Sequence, residues 1–354
     1  MLMPNIYSGQ RGLGISERRG CPNERSKFVV GVTRARYSCH VVAAAEKAAG
    51  PAYRILEKAG LAESIFENPN SMTTIWQLGQ VMRASALWTD NLDIGWDAAE
   101  AASLEQYGAF SERLFLRSAL HERLLAFCRQ AREEYSEANF SVRSHGRKIF
   151  FVRASIAGED IEARQTELYV LSMMLGTIRS VLGQHWQPEQ VSMQTFHRPD
   201  TERHFDTMST DLRFGQRETV IVIDDIDLAR SVERMLETDV DTRSYETSPD
   251  LIWILGSLIR LYLGDSRLGL NFMAKICDLH PRTLQRLLRE KNITFKELVA
   301  HQRFISASNV LKETDLPIAE VSSMLGYSHH AHFTRAFREY AGLTPTAYRQ
   351  ACQE

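Results

Sequence analysis

Apolar residues recur at two different periods along this chain, and the change from one regime to the other divides it. Between about residue 40 and residue 230 both periods occur. Spacings of three and four, as in a helix with one buried face, predict helices over Ala52–Ala59, 73–88, 104–135 with a break near Gly108, and Ile161–Leu182. Runs rich in β-branched and aromatic residues predict strands over 140–144, 148–155, 191–196 and 219–223. The first two flank His145, Gly146 and Arg147 and form a hairpin. From Leu251 onward only the helical period remains. The pattern therefore predicts an α+β domain followed by an all-α domain.

The segments outside these domains are polar. Residues 1–38 are rich in Gly, Arg, Asn and Ser with no sustained period, which predicts a flexible tail. The stretch TDVDTRSYETSPD, 238–250, is poor in aliphatic residues and carries Pro249, so the connection between domains is expected there. The expected organisation is a tail at 1–38, an α+β domain at 39–238, a linker at 239–250 and a helical domain at 251–354.

Within the helical domain, two units share one design. In the second, Pro317 suits a first helical turn, Ile318, Val321 and Leu325 make one apolar face, and Gly326 supplies a left-handed stop. Ser328 is then expected to cap the next helix, whose Phe333 and Phe337, four apart, anchor it inward. His329, His330, His332 and Arg335 are left facing out. In the first unit, 272–278 is a helix, Leu279 and His280 the turn, and Pro281–Glu290 the second helix. Leu284, Leu287 and Leu288 point inward there and leave Arg282, Gln285, Arg286 and Arg289 outside. A helix from 294 to 314, capped by Thr294, joins the units. At 1.5 Å rise per residue it spans roughly 28 Å, near the ~34 Å of one turn of duplex DNA. Outward Arg and Gln side chains are those that pair bidentately with guanine and adenine in a major groove.

Charge supports this division. The whole chain carries only −2, but residues 250–354 hold 13 Lys and Arg against 10 Asp and Glu. The helical part is thus +3 and the remainder −5, a modest bias toward a polyanionic partner.

These residues resemble the AraC/XylS family of bacterial regulators. The resemblance covers roughly 251–350 and is carried by RTLQRLLRE at 282–290 and by LGYS, FTRAF and GLTPTAYR between 325 and 349. It implies an all-α DNA-binding domain of two helix-turn-helix units joined by a long helix. It also implies contacts to bases and phosphates from Arg282, Gln285, Arg286, His330, His332 and Arg335. Residues 50–231 resemble the effector domain of the OruR/VirS-like, arabinose-binding-like branch, through GPAYRILEKAGL at 50–61 and LGTIRSVLGQHWQPEQV at 175–191. That resemblance implies an α+β sensor for a small-molecule effector, a homodimer formed through it, and a regulator of promoter DNA that activates RNA polymerase.

Other chemistries find less purchase. The five cysteines are scattered without a CxxC pair, so reduced structural thiols are expected and no thiolate metal site. His330 and His332, two apart, do not share a helix face, whereas His329 and His332 could; DNA contact or a solvated surface is the stronger reading of these side chains, and no metal or other cofactor is expected. A DNA-linked alkyl-transfer enzyme is the catalytic alternative, yet no cysteine lies in the Pro-Cys-His-Arg setting such enzymes use, and no GxSxG, P-loop, HExxH or GxGxxG fingerprint occurs. The expectation is therefore no enzyme. A DNA-binding regulator without a ligand is the other alternative. Tyr169, Met173 and Met174 are candidates either for the core or for lining a pocket. The apolar run 251–263 is too short to span a bilayer, and the first residues lack an export signal, so a cytoplasmic protein without membrane contact is expected.

Overall fold

The computed structural model describes residues 30–154, 160–224 and 250–353. Nearly all of the linker expected at 239–250, and most of the tail, lie outside these residues. Within the described part of the expected tail there is regular structure instead. Val32–Arg34 forms strand β1 and Ala35–Lys47 the first helix, α1. β1 is defined by an antiparallel partner forty residues on, β2 (Met72–Thr74), through the pairs Val32↔Thr74 and Arg34↔Met72, so no local period announces it.

The remaining helices of the N-terminal domain are α2 (Ala52–Ala59), α3 (Ile75–Thr89), α4 (Ile94–Ala101), α5 (Ala109–Phe115), α6 (Leu120–Glu134), α7 (Ile161–Leu182) and the single turn α8 (Pro199–Glu202). α7 is central. It packs against α3, α4, α6 and the sheet, and Leu168, Leu171, Met174, Leu175 and Ile178 on it are fully buried. Asp160 caps it, accepting from the Ala163 amide at 2.8 Å. The close approach of α4 depends on Gly95, whose amide donates to Gln165 Oε1 at 2.9 Å.

Five strands form one sheet in the order β3-β4-β7-β5-β6. β3 (Phe140–His145) and β4 (Lys148–Arg153) make the expected hairpin, in register from Phe140↔Arg153 to His145↔Lys148. β4 and β5 (Gln190–Ser192) each pair antiparallel with β7 (Thr219–Asp224), whereas β6 (Asp211–Arg213) runs parallel to β5. β5 is shorter than the 191–196 run predicts, because the Glu167 carboxylate takes the Gln194 and Thr195 amides at 2.7 and 2.9 Å. Those donors are lost to the ladder. The inward side chains Ile149, Phe151, Ile221 and Ile223 join α6 and α7 in one apolar core.

The helical domain comprises α9 (Leu251–Leu261), α10 (Leu270–Ile276), α11 (Pro281–Glu290), α12 (Phe295–Glu313), α13 (Ile318–Met324), α14 (His330–Ala341) and α15 (Pro345–Gln353). α12 is its spine, in contact with α9, α13, α14 and α15. It starts at a capping box in which Thr294 and Glu297 satisfy each other's backbone amides, at 3.2 and 2.8 Å.

The two domains meet at the start of α3. Thr74 and Gln77 form a reciprocal cap there, each side chain accepting the other's amide at 3.1 Å. The same two side chains reach across the boundary. Thr74 donates its hydroxyl to the Ile276 carbonyl, and Gln77 Nε2 donates to Tyr262 Oη at 2.7 Å. Lys275 lies 5.8 Å from the centre of the Trp76 ring, and Val30 and Val32 belong to the apolar cluster of the helical domain. No helix among the described residues is long and apolar enough to cross a membrane.

Candidate nucleic-acid interface

Each helix-turn-helix unit is built around a small apolar centre that fixes which way its second helix faces. In the first, Met273, Ala274 and Ile276 of α10 meet Leu284 and Leu288 of α11, all buried, with Leu287 half-buried beside them. The turn between them is made by Cys277, Asp278 and Leu279, with Asp278 at φ +53°. α10 runs Leu270–Ile276, two residues earlier than the expected 272–278. His280 stands at the start of α11 and its Nδ1 accepts from the Arg282 amide at 3.3 Å, so the imidazole caps the helix as a hydroxyl would.

In the second unit Val321, Leu325, Phe333 and Phe337 are buried, and Phe304 of α12 lies 5.2 Å from Phe337. Gly326 ends α13 at φ +74°, as its position predicts, and a side chain there would collide with the Leu263 carbonyl. The expected capping role of Ser328 is not found. α14 begins at His330 with His329 in the capping position, and no side chain satisfies its first amides, which leaves donors free at that end.

With both centres fixed, the eight residues singled out from the sequence are all exposed. Arg282, Gln285, Arg286 and Arg289 lie on the outer side of α11, and His329, His330, His332 and Arg335 at and along the start of α14. Arg286 forms an i,i+4 pair with Glu290 at 3.2 Å. A pair this exposed contributes little stability and opens at little cost for another anion. The rings of His329 and His332 stand 5.8 Å apart. Arg338, on the last turn of α14, is a further exposed cation that sequence reasoning did not single out. Its three-residue spacing from Arg335 is the signal that would have found it.

Arg303 links the spine to the second unit. Its guanidinium lies 4.7 Å from the centre of the Tyr327 ring and donates to the Gly326 carbonyl at 3.4 Å. Leu284 and Leu288 of α11, Leu298 and Leu311 of α12, and Phe333 and Phe337 of α14 belong to one apolar cluster.

Three of the described thiols have no comparable role. Burial pushes Cys39 up to about 11, and Cys128 and Cys277 up to about 12, so these three stay protonated and unreactive near neutral pH. Tyr169, Met173 and Met174 are buried on α7. The first two also border a small internal chamber.

Comparison with known proteins agrees with this anatomy. Residues 50–232 match the arabinose-binding domain found N-terminally in AraC transcription regulators, and residues 273–351 match a helix-turn-helix domain. The chain is 32% identical over 92 residues to the HTH-type transcriptional regulator VirS of Mycobacterium tuberculosis, which is 26% of this chain and 27% of that one. It is 32% identical over 78 residues to the HTH-type transcriptional regulator VqsM of Pseudomonas aeruginosa, covering 22% and 24%. These alignments thus span about a quarter of each relative's length. Among solved structures, the transcriptional regulator CdpR of P. aeruginosa aligns over 84% of this chain and 96% of its own, at 15% identity and a TM-score of 0.34. All three carry the name of transcriptional regulators. The chain belongs to the AraC family of transcription regulators, with an arabinose-binding-type domain ahead of its DNA-binding helix-turn-helix domain.

Proposed function

We propose that this chain is a sequence-specific regulator that lays α11 and α14 into successive major grooves on one side of a promoter, under the control of a small molecule bound by the N-terminal domain. The observation that carries this reading is that two outward polar helix faces, Arg282 to Arg289 and His329 to Arg335, are exposed on helices whose inner residues belong to one apolar cluster. Arg286 and Arg335 supply phosphate contacts, and Arg282 and Gln285 reach base edges. Bound effector shifts the balance between two arrangements of the domains, and the regulator then activates transcription with RNA polymerase. Activation, a homodimer and a cytoplasmic location rest on the family resemblance.

The test uses the full-length chain and a duplex enriched by it from a random pool. Gel-shift titrations across a salt series are expected to give tight, salt-dependent binding. Arg286→Ala and Arg335→Ala should each lower the slope of log affinity against log salt by about 0.9 for each phosphate no longer neutralised. Wild-type affinity and slope in both variants would sink the assignment of these faces.

A further inference from the structure

Between the two domains lies a cavity of about 640 Å³. One wall is the sensor domain, including Thr74, Glu137, Arg153 and Thr195, and the other is the helix-turn-helix turn Cys277, Asp278 and Leu279. A second chamber of about 60 Å³ lies in the sensor core, bounded by Met82, Phe110, Phe127, Ala131, Phe140 and Met173. Leu78, Tyr135, Glu137, Arg153 and Thr166 border both, so the apolar chamber adjoins the polar cavity.

Arg153 stands at this junction, at the end of β4. Its guanidinium makes no hydrogen bond or ion pair with any described residue. Burial lowers its pKa, and Tyr135 and Glu167 act on it only at longer range. Glu167 does not neutralise it by contact, because its oxygens already accept the Gln194 and Thr195 amides and the Thr219 hydroxyl. Two further donors on the same cavity, Gln194 Nε2 and Thr195 Oγ1, are buried without a partner among the described residues. An unpaired buried donor is a destabilised group that an incoming acceptor relieves.

We infer that this cavity is the effector site and that its ligand is a small organic monocarboxylate with a short aliphatic tail. The carboxylate lies on Arg153, with Thr195 and Gln194 donating to it, and the tail enters the aromatic chamber. Arg–carboxylate pairing is bidentate and favours this head group. Glu137, Asp160, Glu162, Glu167 and Asp278 also line the cavity, with Arg153 the one cation among the described residues of its lining, so only a carboxylate in direct contact with that guanidinium is held and a second one is repelled. The chamber is well below the ~150 Å³ of a cavity that takes benzene, so it admits roughly two or three carbons and not a ring.

This inference rests on the proposed effector-responsive regulator and adds how the signal passes. Asp278 and Leu279, immediately before α11, line the same cavity, so a carboxylate drawn onto Arg153 changes the electrostatic field at the turn that carries the first recognition helix. No long relay is needed.

The experiment is calorimetry of the full-length chain with propionate, butyrate, succinate and benzoate, alongside affinity for the enriched duplex with and without each. Propionate and butyrate are expected to bind and to change DNA affinity roughly 5- to 150-fold, whereas succinate and benzoate bind at least tenfold more weakly. Arg153→Gln should lose at least tenfold in carboxylate affinity. Because that variant alters a buried strand, Thr195→Val and Ala131→Val provide independent readings. The first should weaken all the carboxylates several-fold, and the second, which narrows the chamber, should shift preference from butyrate to propionate. Absence of binding by both short acids, or unchanged binding in Arg153→Gln and Thr195→Val, overturns the site. If the duplex is still bound specifically, only the site fails. If specific DNA binding is absent as well, the proposed function fails with it.

Discussion

Gln77, on the first turn of α3, and Tyr262, just past the end of α9, are joined by a 2.7 Å hydrogen bond across the domain boundary. Gln77 is fully buried, and its other amide contacts are the Thr74 amide and the Ala59 carbonyl. One side chain therefore caps a helix of the N-terminal domain and holds the DNA-binding domain.

Tyr262→Phe is expected to cost about 1–3 kcal/mol, because it leaves a buried amide hydrogen without its acceptor while keeping the ring. Gln77→Leu removes the donor and the cap together. In a double-mutant cycle by urea denaturation the two costs should be non-additive by about 0.5–3 kcal/mol. Simple additivity would mean that the bond does not couple the domains in solution.

Arg282→Ala and Gln285→Ala are expected to relax sequence preference more than they weaken overall binding. Removing a base-specific hydrogen bond costs about 1–3 kcal/mol at one position of the site and little elsewhere. Binding to a panel of single-base variants of the enriched duplex measures this. A uniform drop across the panel would reassign both residues to phosphates.

Burial, with Arg36 nearby, lowers the His40 pKa to about 4, and the ring's Nδ1 lies 2.8 Å from the Tyr169 hydroxyl. In the unfolded chain the imidazole titrates near 6.5. Between these values the unfolded state binds the extra proton, so this group's contribution is complete above about 6.5 and is lost as pH falls toward 4. The stability difference between wild type and His40→Gln should therefore shrink or reverse on going from pH 7.5 to pH 5. A difference that stays constant across that interval would show that His40 is not buried in its neutral form.

Gly326→Ala meets two penalties at once, a positive φ and a Cβ placed 2.2 Å from the Leu263 carbonyl oxygen. Backbone strain alone costs about 1–3 kcal/mol, and relief of the clash displaces the turn between α13 and α14 from the residues that follow α9. Thermal denaturation should show the loss of stability, and gel shifts a loss of affinity. Wild-type behaviour in both would contradict the packing of that turn.

The parts of this fold that were legible in the sequence are those governed by near neighbours. α2 and α7 occupy the predicted residues because their ends are set locally, by Gly60 at φ +68° after α2 and by Asp160 before α7. α11 and the capping of α12 by Thr294 follow for the same reason. The expected single break in 104–135 is really two, near Gly108 and at 116–119, where the Arg123 guanidinium holds the Arg117 carbonyl in a turn. β1 and the early end of β5 depend on partners forty and nearly thirty residues away. The exposed residues proposed to meet DNA were legible because amphipathic helices declare their outer side. The cavity was not, since its lining is drawn from residue 31 to residue 279 and only the assembled domains bring it together.

Val30 and Val32 are buried in the same apolar cluster as Leu255, Leu258 and Ile259. The DNA-binding half therefore borrows two of its hydrophobic wedges from sequence more than two hundred positions upstream. A protease cut in the connecting segment would nick the polypeptide without freeing either half, and a clone that starts at Leu251 would bare the sockets those valines fill.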